Sequence, residues 1–222
     1  MGKIYRKGLL GEKESPQKSF KWYYKAAEQG SDIGEFYLGY FYAQGYGIKK
    51  DDNLSFEWYS KAAKQNNPHA LNNLAYCYEH GRGTSSNLIK AACYYDEAAK
   101  MGNVTAQKNL AKCYKKGIGV NVDPQKAFLW ILDAAKRKDL ESQGIIALYY
   151  FKGYGVNKCY EESLIWYARY YHKIEINDVN QAFNAFVKRA NNNDAQALYV
   201  IGKCSQYGIA TKKSIAEAFS YF

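Results

Sequence analysis

A single period of 36 residues runs along most of the chain and limits the folds that are open to it. Residues of four kinds recur at this period: pairs of glycines separated by one residue, adjacent alanine pairs, aromatic residues and branched apolar residues. The glycine pairs are Gly45/Gly47, Gly81/Gly83, Gly117/Gly119 and Gly153/Gly155. A unit of this length is too short to bury a core of its own, so the chain is predicted to be a stack of similar units.

Each unit carries the signals of two helices. In the second unit, Leu38, Phe41 and Tyr42 lie at helical spacing. The glycine pair ends that segment, because glycine adopts the left-handed conformation at little cost. A second helical pattern follows and ends at Ala62 and Ala63. Apolar residues do not alternate over any long run, so no strand is predicted. We therefore predict an all-α fold of antiparallel helix pairs stacked side by side.

The residues that precede the predicted helices support this interpretation. Those before the second helices are Ser15, Asp51, Asn87, Asp123, Cys159 and Ser214. Those before the first helices are Ser31, Asn67, Asn103, Asp139 and Asp194. Ser, Asp and Asn accept hydrogen bonds from the unpaired N–H groups of a first helical turn. Cys159 departs from the pattern, and its helix start should be weaker by roughly 1 kcal/mol.

The stack is predicted to form one elongated domain over residues 1–222. Its units are about 1–30, 31–66, 67–102, 103–138, 139–193 and an incomplete 194–222. The fifth unit has an insertion of 19 residues, which forms either an extra helix or a long second helix broken near Asn177 and Asp178. The break is favoured, because residues 174–180 are polar and uneven. Neither end has the polar cap of a terminal repeat, so we expect a fragment of a longer chain or an end that a partner covers.

The amino-acid composition indicates in which cellular compartment the chain is expected and which charge its partner is expected to carry. The formal net charge is +10, which favours acidic partners: nucleic acid, an acidic membrane face or an acidic peptide. The five cysteines form no C-x-x-C motif and fit a reducing compartment, so the cytoplasm is expected. No apolar run approaches the length of a membrane span, and the first ten residues are not a secretory signal. The oligomeric state is left open.

The repeated unit resembles the Sel-one-like repeat, a relative of the tetratricopeptide repeat. The resemblance is carried by segments such as WYYKAAEQGSDIGEFYLGYFYAQGYGIKKD (22–51) and NNLAYCYEHGRGT (72–84). It covers about residues 20–167 and resumes over 195–222, where Ala210 replaces the second glycine. The resemblance implies a right-handed α/α superhelix of about six helix pairs. It also implies a protein-interaction scaffold, since most members are adaptors that assemble other proteins.

One cysteine-rich branch of that family is linked to β-lactam hydrolysis. In that branch, a disulfide between cysteines eight residues apart bridges each unit. The matching positions in this chain are Ala27/Glu35, Ala63/Leu71 and Ala99/Gln107. The resemblance therefore makes hydrolysis of this kind the least favoured function.

The resemblance also implies a binding surface, because the first helices line the concave face of related superhelices. The candidate residues on that face are Phe36, Tyr40, Asn72, Asn73, Tyr76, Lys108, Asn109, Lys112, Lys116, Tyr199 and Lys203. In the functional interpretation, tyrosines and lysines hold an extended, acidic partner segment, and Asn73 and Asn109 bind its backbone. In the alternative interpretation, the tyrosines pack and the lysines form a solvated basic face. Reversing the charge of Lys108 and Lys112 is expected to leave stability nearly unchanged.

Signals of an enzyme are weak. The three histidines and the serines stand in no nucleophile or metal-binding pattern, so no catalytic residue, metal or cofactor is predicted. The Gly-x-Gly pairs lack the strand and the third glycine of a phosphate loop. Single-stranded nucleic acid is the alternative ligand, with bases on tyrosines and phosphates on lysines. It is less favoured because the strongest aromatic series is expected to pack between helix pairs. That series is Trp22, Trp58, Tyr94, Trp130 and Trp166, and truncating Trp58 is expected to cost roughly 3–5 kcal/mol.

Overall fold

A computed structural model describes residues 1–9 and 13–221 of the chain, and all regular secondary structure in those residues is helical. The helices are α1 (Gly2–Lys7), α2 (Pro16–Glu28), α3 (Asp32–Gln44), α4 (Asp52–Lys64), α5 (Pro68–His80), α6 (Leu88–Lys100), α7 (Val104–Lys116), α8 (Pro124–Lys136), α9 (Leu140–Lys152), α10 (Tyr160–His172), α11 (Val179–Ala190), α12 (Ala195–Tyr207) and α13 (Ile215–Ser220). The prediction of an all-α fold of repeated helix pairs is confirmed.

The helix starts follow the predicted caps. Ten of the eleven predicted side chains accept a hydrogen bond from their own first turn, as Asp51 does from the Leu54 N–H at 3.0 Å. Cys159 makes no such bond, as expected. Two asparagine caps also join successive first helices, because the amide of Asn67 donates to Asp32 Oδ2 at 2.8 Å and that of Asn103 to the Pro68 carbonyl at 3.2 Å.

The second glycine of each pair allows close approach of one repeat to the next. Gly119 has φ +68°, and a Cβ there would stand 1.9 Å from the carbonyl oxygen of Leu88, at the start of the preceding second helix. No side chain fits at that distance, so glycine is required by contact as well as by conformation. Ala210 takes this place in the last repeat with φ +52°, which strains an alanine.

The chain forms two compact units, residues 1–122 and residues 123–222. In unit 1 (1–122), the buried aromatic residues of the second helices are Tyr23, Tyr59 and Tyr95. The preceding tryptophans are not core residues: Trp22 is exposed, and Trp58 is half-buried with the Lys61 ammonium 3.9 Å from its ring. The prediction that Trp58 is buried is therefore wrong, because the neighbouring position points at the first helices.

Unit 2 (123–222) contains the insertion, and it holds a separate helix. Helix α10 ends at His172, and α11 begins only after Asp178, whose carboxylate accepts from the N–H groups of Asn180 and Gln181. The favoured prediction of one long broken helix is thus wrong. Lys173 ends α10 in the left-handed conformation, and the linker that leads to α11 has no regular secondary structure.

Ring contacts give the direction of the inserted helix. Phe186, in the second half of α11, packs on Tyr167, Tyr171 and His172, in the second half of α10. Only residues 191–194 connect α11 to α12, so α11 is antiparallel to α12 and runs in the same direction as α10. Helix α12 runs opposite to α10. Its first turn meets the last turns of α10 through Gln196 and Tyr167 (2.7 Å), and its last turn meets the first turn of α10 through Tyr207 and Tyr160 (centroids 4.5 Å). The insertion therefore brings the chain back to the C-terminal end of α10, which is where the first helix of a regular next repeat would start.

Candidate functional site

The candidate residues of unit 1 lie on the first helices α3, α5 and α7, and those of unit 2 lie on α12. In α3, Phe36 is half-buried and packs between the rings of Tyr59 and His69, with centroids 6.1 and 5.6 Å away. Tyr40 is also half-buried and packs on Phe41. Both residues serve the packing of repeats, which agrees with the alternative interpretation of these aromatic side chains.

Tyr76 is the exposed aromatic residue of this surface. Its side chain is 38% accessible, its ring stacks on His80 at 4.0 Å, and the guanidinium of Arg82 lies 5.3 Å from its centroid. The carbonyl of Tyr76 also lies 3.0 Å from Nδ1 of His80, which fixes the imidazole at the helix end. Arg82 was not among the candidates, although it follows Tyr76 closely in the sequence, whereas His80 was expected near the inner positions as a residue of the helix end. The three side chains form an aromatic and cationic cluster.

The three candidate asparagines form a chain of hydrogen bonds inside unit 1. The Asn109 amide donates to Asn72 Oδ1 at 3.0 Å, and the Asn72 amide donates to Asn73 Oδ1 at 3.1 Å. Asn73 in turn hydrogen-bonds the Tyr59 hydroxyl, a contact that lowers a pKa raised chiefly by burial of that phenol. These amides hold α5 against α7, so their partners lie within the fold.

The lysines of α7 differ from one another in their surroundings. Lys112 Nζ donates to Glu79 Oε1 at 2.8 Å, and the hydroxyl of buried Tyr95 donates to Glu79 Oε2 at 2.9 Å. Burial of Glu79 would raise its pKa, but these two hydrogen bonds and the lysine charge outweigh it and lower the pKa. Lys108 is half-buried and Lys116 is exposed. Lys112 is therefore part of the packing of α5, α6 and α7, and reversing its charge would disturb that packing.

A pocket of about 390 Å³ opens in unit 2 between α9, α10 and α12. Each helix contributes one face: residues at 144, 147, 148 and 151 from α9, at 160, 163, 164 and 167 from α10, and at 199, 200, 203, 204 and 207 from α12. Both candidates of this unit, Tyr199 and Lys203, line it. The α9 residues, among them exposed Leu148, were not predicted, and their helical spacing was the available signal.

Lys203 supplies charge to a wall that is otherwise mostly apolar. Among the described residues that line the pocket, Lys203 is the charged one. Its ammonium donates to Gln206 Oε1 at 2.9 Å and lies 5.5 and 6.0 Å from the ring centroids of Tyr199 and Tyr207. Apolar walls with a few placed polar groups are typical of ligand pockets.

Other chemistry in the described residues is limited. Cys77, Cys113 and Cys204 are buried, and burial raises the pKa of their thiols to about 11, 11 and 12, so they are protonated at neutral pH. All five cysteines are free thiols. No group of three or more His, Cys, Asp or Glu side chains that could hold a metal occurs in the described part of the chain. None of the described helices combines the length and apolarity needed to span a bilayer.

The same helix pairs occur in solved proteins of bacteria. The chain is similar to c5321, a protective antigen of uropathogenic Escherichia coli that displays an SLR fold (TM-score 0.73, 24% identity, 99% of this chain and 51% of that one). It therefore spans about half the length of that protein. It is also similar to a Sel1 repeat protein from Oxalobacter formigenes (TM-score 0.64, 29% identity, 99% and 80%) and to an immunity protein from Pseudomonas aeruginosa (TM-score 0.52, 17% identity, 99% and 74%).

The repeat signature itself covers most of the sequence. No curated protein sequence matches the chain. The model of the Sel1 repeat, in contrast, matches residues 1–31, 33–67, 68–103, 104–139, 141–169 and 195–222. The gap between the last two segments contains α11 and its linker. Because the family model matches six repeats and the structure has the corresponding helix pairs, the chain belongs to the Sel1 repeat family.

Proposed function

We propose that this chain is a protein-binding scaffold whose first helices hold a segment of a partner protein. Sel1 repeat proteins are commonly protein-interaction scaffolds and typically lack enzymatic activity. One observation carries the proposal for this chain: first helices of both units expose an aromatic side chain beside a cation. These are Tyr76 with Arg82 in unit 1 and Tyr199 with Lys203 in unit 2.

Such pairs suit a protein partner. Exposed tyrosine offers a large contact area with few rotatable bonds, and arginine and lysine bind carboxylates, so both are useful at interfaces. The net charge of +10 favours an acidic partner segment. The asparagines and Lys112 support the surface from within, since they lock α5 to α7 through Asn72 and Glu79.

The test is capture of partners from a lysate of the native organism, read by mass spectrometry. Capture by the wild-type chain is compared with capture by Tyr76→Ala, by Tyr199→Ala and by a control, Ile89→Ala, which removes a more exposed apolar side chain on second helix α6. We expect specific proteins that both tyrosine variants capture less well and that the control captures normally. Equal capture by all four chains, or no specific protein, would contradict the proposal.

Single-stranded nucleic acid is a second candidate, and one observation favours it. On second helices α2 and α4, lysine ammonium groups lie over partly exposed tryptophan rings: Lys25 over Trp22 at 5.3 Å and Lys61 over Trp58 at 3.9 Å. Accessible aromatic faces beside cations can stack bases and bind phosphates. A mobility shift with single-stranded oligonucleotides that weakens steeply as salt rises, and that Trp58→Ala abolishes, is the expected result for this function. Unshifted oligonucleotide at low salt would exclude it.

A further inference from the structure

In α9, the wall of the unit 2 pocket contains a glycine at the register where the second repeat has a phenylalanine. Gly144 stands 108 residues, or three periods, after Phe36. Phe36 in unit 1 fills the space against Tyr59 and His69. The residues at the matching register in unit 2 are Tyr167 and Gln196, which contact each other through a hydrogen bond of 2.7 Å. In unit 2 the ring of Tyr170 lies next to this position: it stands 3.4 Å from a Cβ at Gly144, and its centroid lies 6.2 Å from that of Tyr167. Tyr170 is not among the described residues that line the pocket, which stays open towards Leu148 and Tyr199.

We propose that this pocket receives an aromatic or leucine side chain of a partner protein, next to a carboxylate of the same segment that pairs with Lys203. The inference rests on the proposed scaffold function and names the chemistry that one of its sites recognises. The residues at the pocket mouth are already apolar and accessible, with Leu148 47% and Tyr199 50% exposed.

Three features of the pocket fit this occupant. Its volume of about 390 Å³ lies in the range of sites that bury small ligand groups. Its lining is mostly aromatic and aliphatic, and covering Leu148 and Tyr199 removes apolar surface from water. The cation at Lys203 is held beside the tyrosine rings by Gln206, so a carboxylate that follows the inserted side chain meets a positioned charge.

Gly144 provides the test, because the fold tolerates a side chain there. It lies in a helix with ordinary φ, and a Cβ would stand 3.4 Å from the Tyr170 ring, an ordinary contact. Gly144→Phe adds a ring to the pocket wall and should fill part of the pocket from inside. Gly144→Ala is its matched control, since it also replaces the helical glycine but leaves most of the pocket empty.

The probe is a fluorescein-labelled ten-residue peptide, Gly-Ser-Gly-Ser-Phe-Asp-Glu-Ser-Gly-Ser, titrated with the full chain by fluorescence polarisation. Replacing its Phe by Ala should weaken binding roughly tenfold or more, the amount expected for one buried aromatic side chain. Gly144→Phe should weaken binding of the original peptide to the same extent, and Gly144→Ala should remain within about threefold of wild type. Lys203→Gln should weaken binding several-fold and remove the preference over a peptide with Asn-Gln in place of Asp-Glu.

A second variant keeps the test valid if Gly144→Phe lowers the melting temperature. Leu148→Ala with Tyr199→Ala removes two exposed side chains from the pocket mouth without filling it, and the double variant should also lose roughly tenfold in affinity. Equal binding of the Phe and Ala peptides, or equal binding by Gly144→Phe, would overturn the inference. So would decanoate that fills the pocket while no peptide binds up to about 1 mM.

The two proposals fail separately. If lysate capture succeeds and the pocket variants capture as well as wild type, the pocket inference is overturned and the scaffold function stands. If capture finds no specific partner, the scaffold function fails, and the peptide titration still decides whether the pocket accepts a side chain beside a carboxylate.

Discussion

Removal of the Lys112 ammonium should destabilise unit 1, because it leaves Glu79 with a single hydrogen-bonding partner. The Glu79 side chain is only 10% exposed, between Lys112 Nζ at 2.8 Å and the Tyr95 hydroxyl at 2.9 Å. In Lys112→Met the side chain keeps its length and its packing along the helix but donates nothing. The carboxylate then stays in its partly dry site with the phenol alone.

The expected loss is about 1 kcal/mol in the free energy of unfolding. Breaking a fully buried ion pair costs roughly 3–5 kcal/mol, and breaking an exposed one costs about 0–1 kcal/mol. The Glu79–Lys112 pair lies nearer the second limit, because the lysine side chain is 44% exposed and water screens its charge. For a chain of this size, 1 kcal/mol corresponds to a fall of roughly 2–4 °C in melting temperature.

The assay is thermal and urea unfolding, followed by circular dichroism, of wild type, Lys112→Met and Lys116→Met. Lys116 is the matched control, because it is an exposed lysine one turn further along the same helix. Its removal should change stability by no more than about 0.5 kcal/mol. Unfolding slopes must agree among the three proteins, since repeat arrays can lose two-state behaviour.

The effect of Lys112→Met should disappear in acid. Folding lowers the pKa of Glu79, so the contribution of this carboxylate to stability is present above its unfolded pKa and is lost as pH falls through the lower folded value. Wild type and Lys112→Met should therefore differ at pH 7 and converge once Glu79 is protonated. A Lys112→Met protein as stable as Lys116→Met at pH 7, or a difference independent of pH, would refute this reasoning.

Three further outcomes are expected. Tyr95→Ala should lower the free energy of unfolding in urea by roughly 3–5 kcal/mol, because the ring is fully buried, whereas Trp58→Ala should lower it by about 1–2 kcal/mol. Equal losses would show that Trp58 is a core residue. Ala210→Gly should raise stability by about 0.5–1 kcal/mol, because it relieves a residue with φ +52°, and an unchanged midpoint would show that no strain is stored there. Iodoacetamide at pH 8 should label the exposed Cys93 and spare Cys204, because burial of the Cys204 thiol raises its pKa to about 12. Mass spectrometry of peptides measures the labelling, and comparable labelling of the two cysteines would contradict the burial of Cys204.

Local features of the fold were predictable from the sequence, because their causes lie within a few residues. An asparagine at position 67 accepts from its own first helical turn, and a glycine at position 117 ends its helix, whatever the neighbouring repeats do. The period then carries each such feature to the other units. This explains why the helix pairs and their boundaries follow directly from the printed sequence.

The burial of adjacent aromatic residues was harder to predict. Trp58 and Tyr59 have companions at the same period, and the period alone does not say which of two neighbouring positions faces the first helices. The structure buries Tyr59 and leaves Trp58 at the edge. That choice depends on the rotation of each helix about its own axis, which is fixed by contacts between elements far apart in the chain.

The candidate site was predictable only in outline for the same reason. Tyr199 and Lys203 were identified from their register, but the pocket that they line also needs α9, which contributed no candidate residue. The sequence placed Lys112 on a basic surface and did not reveal its partner, because Glu79 lies 33 residues earlier, on another first helix. A contact of that separation depends on how repeats are set against each other, and no local pattern encodes it.

The parallel course of α10 and α11 has a consequence for how such arrays diversify. An insertion made of one linker without regular secondary structure and one helix brings the backbone back to the end of α10. The first helix of the following repeat therefore keeps its direction and its own N-cap. Evolution can widen the spacing between two neighbouring repeats in this way without changing the sequences of those repeats. Grafting the 19 residues 173–191 between two regular repeats of a designed array should accordingly lengthen one step of the stack while every later repeat folds as before.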